Sequence, residues 1–122
     1  MNLLGAWKGT SNSAVLGSGL FHPTEAGKEK AVRFRHIEHV ITIHEQEDRN
    51  FVGSIEAVNH EHKEVLLGAF SKDFKSGVMV NEHGTFTFHC PDLNTLAVCY
   101  TQIVPHALNI PLVAGCFELL RQ

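Results

Sequence analysis

The chain has no apolar run approaching the length that crosses a bilayer. Its start, MNLLGAWKGT, lacks the basic opening, long apolar core and cleavage site of a signal peptide. A cytoplasmic protein with no membrane partner is therefore expected. A sustained basic face is missing too. Net charge is −3, and Lys28, Lys30, Arg33 and Arg35 form a lone basic cluster among acidic residues. That excludes a nucleic-acid partner, which needs many phosphate contacts at once. Cysteine is scarce: Cys90, Cys99 and Cys116 are odd in number and lack CxxC spacing, so reduced thiols are expected. Helix signals are nearly absent, and only PTEAGKEKA, residues 23–31, can hold a helical turn.

What is present is β-forming. Apolar residues make up 43% and charged residues 19%, an ordinary globular balance. The 122 residues suffice for one domain, 1–122, with one modest core. Turn signals recur at EQEDRN (45–50), NHEHK (59–63), SKDFKSG (71–77), NEHG (81–84), CPDLN (90–94) and VPHALNIP (104–111). Between them lie segments rich in Val, Ile, Phe and Thr, which read as strands.

Register can be read by arithmetic, because paired residues in a hairpin have a constant sum and side chains alternate between faces. A turn centred near Asp48 pairs Ile43 with Gly53, Ile41 with Ile55 and His39 with Ala57. A turn near Glu61 pairs Ala57 with Val65 and Ile55 with Leu67, and one near His83 pairs Val80 with Phe86 and Val78 with Phe88. The last two hairpins pair Phe88 with Val98, Phe86 with Tyr100, Val98 with Phe117, Leu96 with Leu119 and Tyr100 with Gly115. The inner face then carries Ile37, Ile41, Ile43, Phe51, Ile55, Val65, Leu67, Val78, Val80, Phe86, Phe88, Leu96, Val98, Val113, Phe117 and Leu119. Glu38, Thr42, Ser54, Glu56, Glu64, Thr85, Thr87, His89, Thr101 and Glu118 take the outer face, with Leu66 and Phe70 as stray apolar residues there. One apolar face with no helix to cover it must fold onto itself, and closure also removes the sheet edges. The expected fold is all-β: an antiparallel up-and-down barrel of about eight to ten strands.

Gly5-Ala6-Trp7 in the first strand, followed by Gly9, Gly17, Gly19 and Pro23, resembles the start of calycin barrels. These are the lipocalins, fatty-acid-binding proteins, avidins and nitrobindin-like proteins. The nitrobindin pattern is the most similar, with Phe21-His22-Pro23 where that pattern has Tyr-Pro. The resemblance implies a ligand-binding barrel whose tryptophan is covered by a late arginine, for which Arg121 is the candidate. Haem binding in nitrobindin-like barrels uses a histidine near the C-terminus. This chain has none after His106, so no cofactor is expected.

Polar groups on the expected inner face are few: His39, Tyr100, Gln102 and Trp7. Phe51, Phe86, Phe88, Val98 and Phe117 line the rest of the expected lumen. These nine residues form the candidate ligand site, because pockets of this kind are mostly apolar with a few orienting polar groups. The other reading makes them core residues of a filled barrel. His60, His62 and Glu64 alternate in NHEHKE, but they sit in an expected turn and lack converging partners, so no metal is expected. Cys99 and Cys116 fall opposite one another in the last hairpin.

The function expected is binding of a small, largely apolar molecule inside the barrel. One alternative is an isomerase or cyclase using His39 and Tyr100, although no nucleophile with an adjacent base is evident. Another is an interaction module with a filled core, which an exposed apolar patch near Leu66 and Phe70 and a homodimer would accompany.

Overall fold

The computed structural model describes residues 1–17, 31–58, 63–103 and 112–122. They form eight strands: β1 Gly5–Leu16, β2 Arg33–Glu47, β3 Asn50–Ala57, β4 Lys63–Phe70, β5 Ser76–Val80, β6 Thr85–Asp92, β7 Thr95–Gln102 and β8 Leu112–Arg121. Each strand pairs antiparallel with the next, and β1 pairs with β8 to close the barrel. Among the described residues no helix is long and apolar enough to cross a membrane.

Three expected registers hold. His39 pairs with Ala57, Ile41 with Ile55 and Ile43 with Gly53. The β6–β7 and β7–β8 ladders also carry the expected pairs, including Phe88 with Val98 and Val98 with Phe117. The first hairpin keeps its register by a compensation. Its turn is Asp48-Arg49, with Asp48 in the left-handed region at φ 54°, and a bulge between Ile43 and Glu45 absorbs the offset.

Two strands are turned over relative to expectation. In β4, Ile55 pairs with Glu64 and Gly53 with Leu66, so Glu64, Leu66 and Phe70 face inwards while Val65 and Leu67 face out. In β5, Met79 pairs with Phe86, so Met79 is buried and Val78 and Val80 are exposed. The cause in β5 is half a residue of turn. Val80 pairs with Thr85, which centres the turn between Glu82 and His83 rather than on His83. A slip of one residue moves every side chain to the other face. The outer wall of β3–β5 consequently shows Val52, Val65, Leu67, Val78 and Val80 to solvent.

One end of the barrel is packed solid. Trp7 is fully buried and its indole N–H donates to the Leu3 carbonyl at 2.9 Å. The Arg121 guanidinium lies 4.2 Å from the indole ring centroid, the packing that the calycin resemblance implies. It also donates to the carbonyls of Leu93 and Asn2, both at 2.9 Å. Above the indole, Phe51, Phe70 and Phe88 meet edge to face with ring centroids 5.3–5.7 Å apart. Inward-facing Gly68 makes room for this cluster, since a Cβ there would stand 2.1 Å from the Phe51 ring.

The cysteines depart from expectation. Cys99 and Cys116 are joined by a disulfide rather than held as two thiols. Their direct opposition on the outer face puts the Cα atoms 4.0 Å apart, close enough to bridge without moving the strands. Cys90 is free and packs partly buried against the core.

The flipped β4 register makes a paired prediction. Leu66→Ala empties a fully buried site and costs about 2–5 kcal/mol, whereas Leu67→Ala on the outer wall costs about 0.5 kcal/mol or less. Urea unfolding of both variants measures it, and a larger loss for Leu67→Ala would point to the other register.

Candidate functional site

The nine residues singled out in the sequence all point into the barrel, but they do not form one site. Trp7, Phe51 and Phe88 belong to the packed end. His39, Phe86, Tyr100 and Gln102 lie towards the mouth where β1, β3, β5 and β7 finish, and Val98 and Phe117, ladder partners on the level of Phe88, join the two groups in one buried core. Residues 18–30, 59–62 and 104–111 lie outside the described residues. So do Phe21-His22-Pro23, His60, His62, His106 and nearly all of the 23–31 segment.

The mouth half is built by alternation along two adjoining hairpins. Tyr100 and Gln102 follow Val98 on the inner face of β7, and the Tyr100 hydroxyl donates to Gln102 Oε1 at 2.7 Å. The Tyr100 ring packs on Phe86, its direct partner across the ladder, at 4.5 Å between centroids. Across the seam, His39 on β2 stacks obliquely on Phe117 of β8 at 5.6 Å. Ser11 and Ser13 of β1 are buried beside them, and the Ser11 hydroxyl donates to the Ile37 carbonyl at 3.1 Å.

Sequence reasoning missed the carboxylate that completes this cluster. Glu64 is 2% exposed and its Oε1 stands 2.9 Å from His83 Nδ1. Glu64 Oε2 accepts from the Asn81 amide at 2.7 Å. Asn81 Oδ1 in turn accepts from the backbone N–H groups of His83 and Gly84, at 3.0 and 2.8 Å. The β5–β6 turn is thus clipped onto a buried acid, with His83 half-exposed at the rim. The signal was available: Glu64 alternates with Leu66 and Phe70, a bulkier apolar set than Val65 and Leu67.

Charge at the mouth is mixed. Arg33 and Arg35 share the inward parity of Ile37 and His39 at the start of β2. Desolvation, and then the charge of Arg35, hold the Arg33 guanidinium below its ordinary pKa. Opposite them, burial pushes the Tyr100 phenol up from 10.0 to about 12, and the nearby Glu64 carboxylate adds to the rise, while Asn81 opposes it. Tyr100 is therefore a permanent hydrogen-bond donor at neutral pH. Together these groups can donate to and accept from a small molecule entering the mouth. Among the described residues no three His, Cys, Asp or Glu side chains converge on a metal position.

Tyr100 is the chain's one tyrosine, so its titration can be read directly. Ultraviolet titration of folded protein should show ionisation near pH 12, returning to about 10 in denaturant. The folded state binds this proton more tightly than the unfolded state. The associated stability is therefore present below pH 10 and lost as pH rises from 10 to about 12.

Comparison of the chain with family models, with curated proteins and with solved structures finds no match.

Proposed function

We propose that this is a calycin-like barrel that holds a small, largely apolar molecule in the mouth half of its lumen. The observation that carries the proposal is the division of the interior. Trp7, Arg121 and the Phe51, Phe70 and Phe88 cluster fill one end, His39, Tyr100, Gln102 and Glu64 gather at the other, and Phe86, Val98 and Phe117 continue the buried core beneath them as an apolar floor. An apolar floor with a few polar groups that fix orientation is the common make-up of a small-molecule site. Burial of the ligand's apolar body supplies affinity at about 25 cal/mol per Å². The Tyr100–Gln102 pair fixes the hydroxyl oxygen and the Gln102 amide in place, and so favours molecules whose polar groups match them. Trp7, Phe51 and Phe88 support the site from below rather than touching the ligand. The isomerase or cyclase reading, with His39 as acid or base and Tyr100 as donor to a carbonyl, draws less support, because no nucleophile with an adjacent base and orienting group stands beside them among the described residues.

A homodimer is supported by a separate observation. Val52, Val65, Leu67, Val78 and Val80 form an uncharged outer patch exposing on the order of 400 Å², about half of what one partner buries in a standard interface. A second copy meeting this face across a two-fold axis buries it against itself.

Native mass spectrometry before and after denaturation tests both. The expected result is a small molecule that leaves on denaturation, with the Tyr100→Phe variant retaining roughly tenfold less of it, as loss of one buried hydrogen bond implies. A bare chain that also binds no apolar probe would contradict the carrier reading. A monomer-only spectrum at tens of micromolar protein would contradict the dimer.

A further inference from the structure

The outer wall of the barrel carries a second chemically distinctive place, the Cys99–Cys116 disulfide. Cys99 and Cys116 are both exposed, on the outer face of β7 and β8. They lie in an open groove of about 810 Å³ that crosses β1, β8, β7 and β6. Thr10, Asn12, Thr87, His89 and Glu118 line it beside the disulfide, together with the apolar Phe88, Val98 and Phe117. We infer that the Cys99–Cys116 bond is a thiol–disulfide exchange site, open to small peptide-like thiols, rather than a structural cross-link.

Three observations converge on this. Access comes first: exchange requires a thiolate to approach a sulfur along the S–S axis, and the groove leaves both sulfurs on a solvent-facing floor. Exposed disulfides are the labile class, whereas buried ones resist exchange. The second is redundancy. The β7–β8 ladder runs without a break through eight pairs, from Thr95–Leu120 to Gln102–Val113, and the cysteine pair sits inside that run. The strands are held by this ladder and by the inward pairs Val98–Phe117 and Tyr100–Gly115 on either side, so the bond joins what is already joined. A cross-link acts mainly on the unfolded chain, so reducing this one lowers stability without undoing the folded ladder. The third is chemical recognition. Hydroxyl, amide, imidazole and carboxylate groups around the sulfurs can hydrogen-bond the amide and carboxylate groups of a short peptide thiol.

The step balances simply. The thiolate of a small thiol attacks one cysteine sulfur, the Cys99–Cys116 bond breaks, and the other cysteine leaves as a thiolate that takes a proton from water. A second thiol attacks the mixed disulfide, releasing the remaining cysteine and a small-molecule disulfide. Two thiols are oxidised, and the protein disulfide gains two electrons and two protons.

The test is reduction of the intact native protein with reduced glutathione at neutral pH. Iodoacetamide quenching, peptide mapping and circular dichroism then follow. The expected result is alkylation of Cys99 and Cys116 with an unchanged β spectrum and a cooperative thermal transition. A Cys116→Ala variant given oxidised glutathione should gain one glutathione at Cys99. Alkylation that needs denaturant, collapse of the β spectrum on reduction, or a Cys99 that takes up no glutathione in the folded variant would each overturn the inference.

Discussion

The whole structure depends on the seam where β1 meets β8. A sheet with one apolar face and no helices has no stable flat form in water, so the last strand must pair with the first. That pairing needs two backbones to approach closely while the sheet bends. The chain meets this with small residues. A Cβ at Gly9 would stand 2.0 Å from the Glu118 carbonyl oxygen, and Ser13 lies opposite Gly115 and Ala14 opposite Ala114. The run of glycine, serine and alanine that follows Trp7 is thereby explained by close approach rather than by disorder. At the end of the same seam Trp7 pairs with Arg121, whose guanidinium covers the indole and ties the chain's start to the β6–β7 turn.

Closure of this kind divides the interior into two environments. Near Trp7 the space is filled by the large apolar side chains of Leu3, Phe51, Phe70, Met79, Leu96 and Leu119, with Gly68 giving the Phe51 ring room. Stability resides there, since each such side chain contributes about 1.5–3 kcal/mol by leaving water. Towards the mouth polar residues enter the inner face, with Ser11, Ser13, His39, Glu64, Tyr100 and Gln102 among the apolar Val15, Ile37, Ala57 and Val113. Buried polar groups cost free energy unless they are satisfied, and stability alone gives no reason to concentrate them at one end. Glu64 is held by His83 and Asn81, and Tyr100 by Gln102, so the cluster is a fixed network.

The fold and half of the site were legible in the sequence for a definite reason. In β2, β6, β7 and β8 the two faces differ sharply, as Ile41 and Ile43 against Thr42, or Phe86 and Phe88 against Thr85 and Thr87. Such alternation fixes the faces even where a turn is misjudged, which is why His39, Tyr100 and Gln102 were placed inwards. β4 and β5 are apolar on both faces: Val65 and Leu67 compete with Leu66 and Phe70, and Val78 and Val80 with Met79. There the register rests on the turn alone, and a half-residue error in its centre reverses the strand. The cost was Glu64, read as a surface acid when it is among the most buried polar groups in the molecule. The disulfide was legible as geometry, from the opposition of Cys99 and Cys116. Its formation was not, because spacing says where two sulfurs meet and not whether they are oxidised.

The claim that the barrel has a closed apolar end and a receptive mouth is tested most directly by methyl-resolved NMR with an apolar probe, 8-anilinonaphthalene-1-sulfonate. Methyl signals of Ile37, Val98 and Val113 should shift on titration, while those of Leu3, Leu96 and Leu119 should stay in place. Shifts centred on Leu3, Leu96 and Leu119, or no shift in the mouth at saturating probe, would contradict the division of the interior on which the account rests.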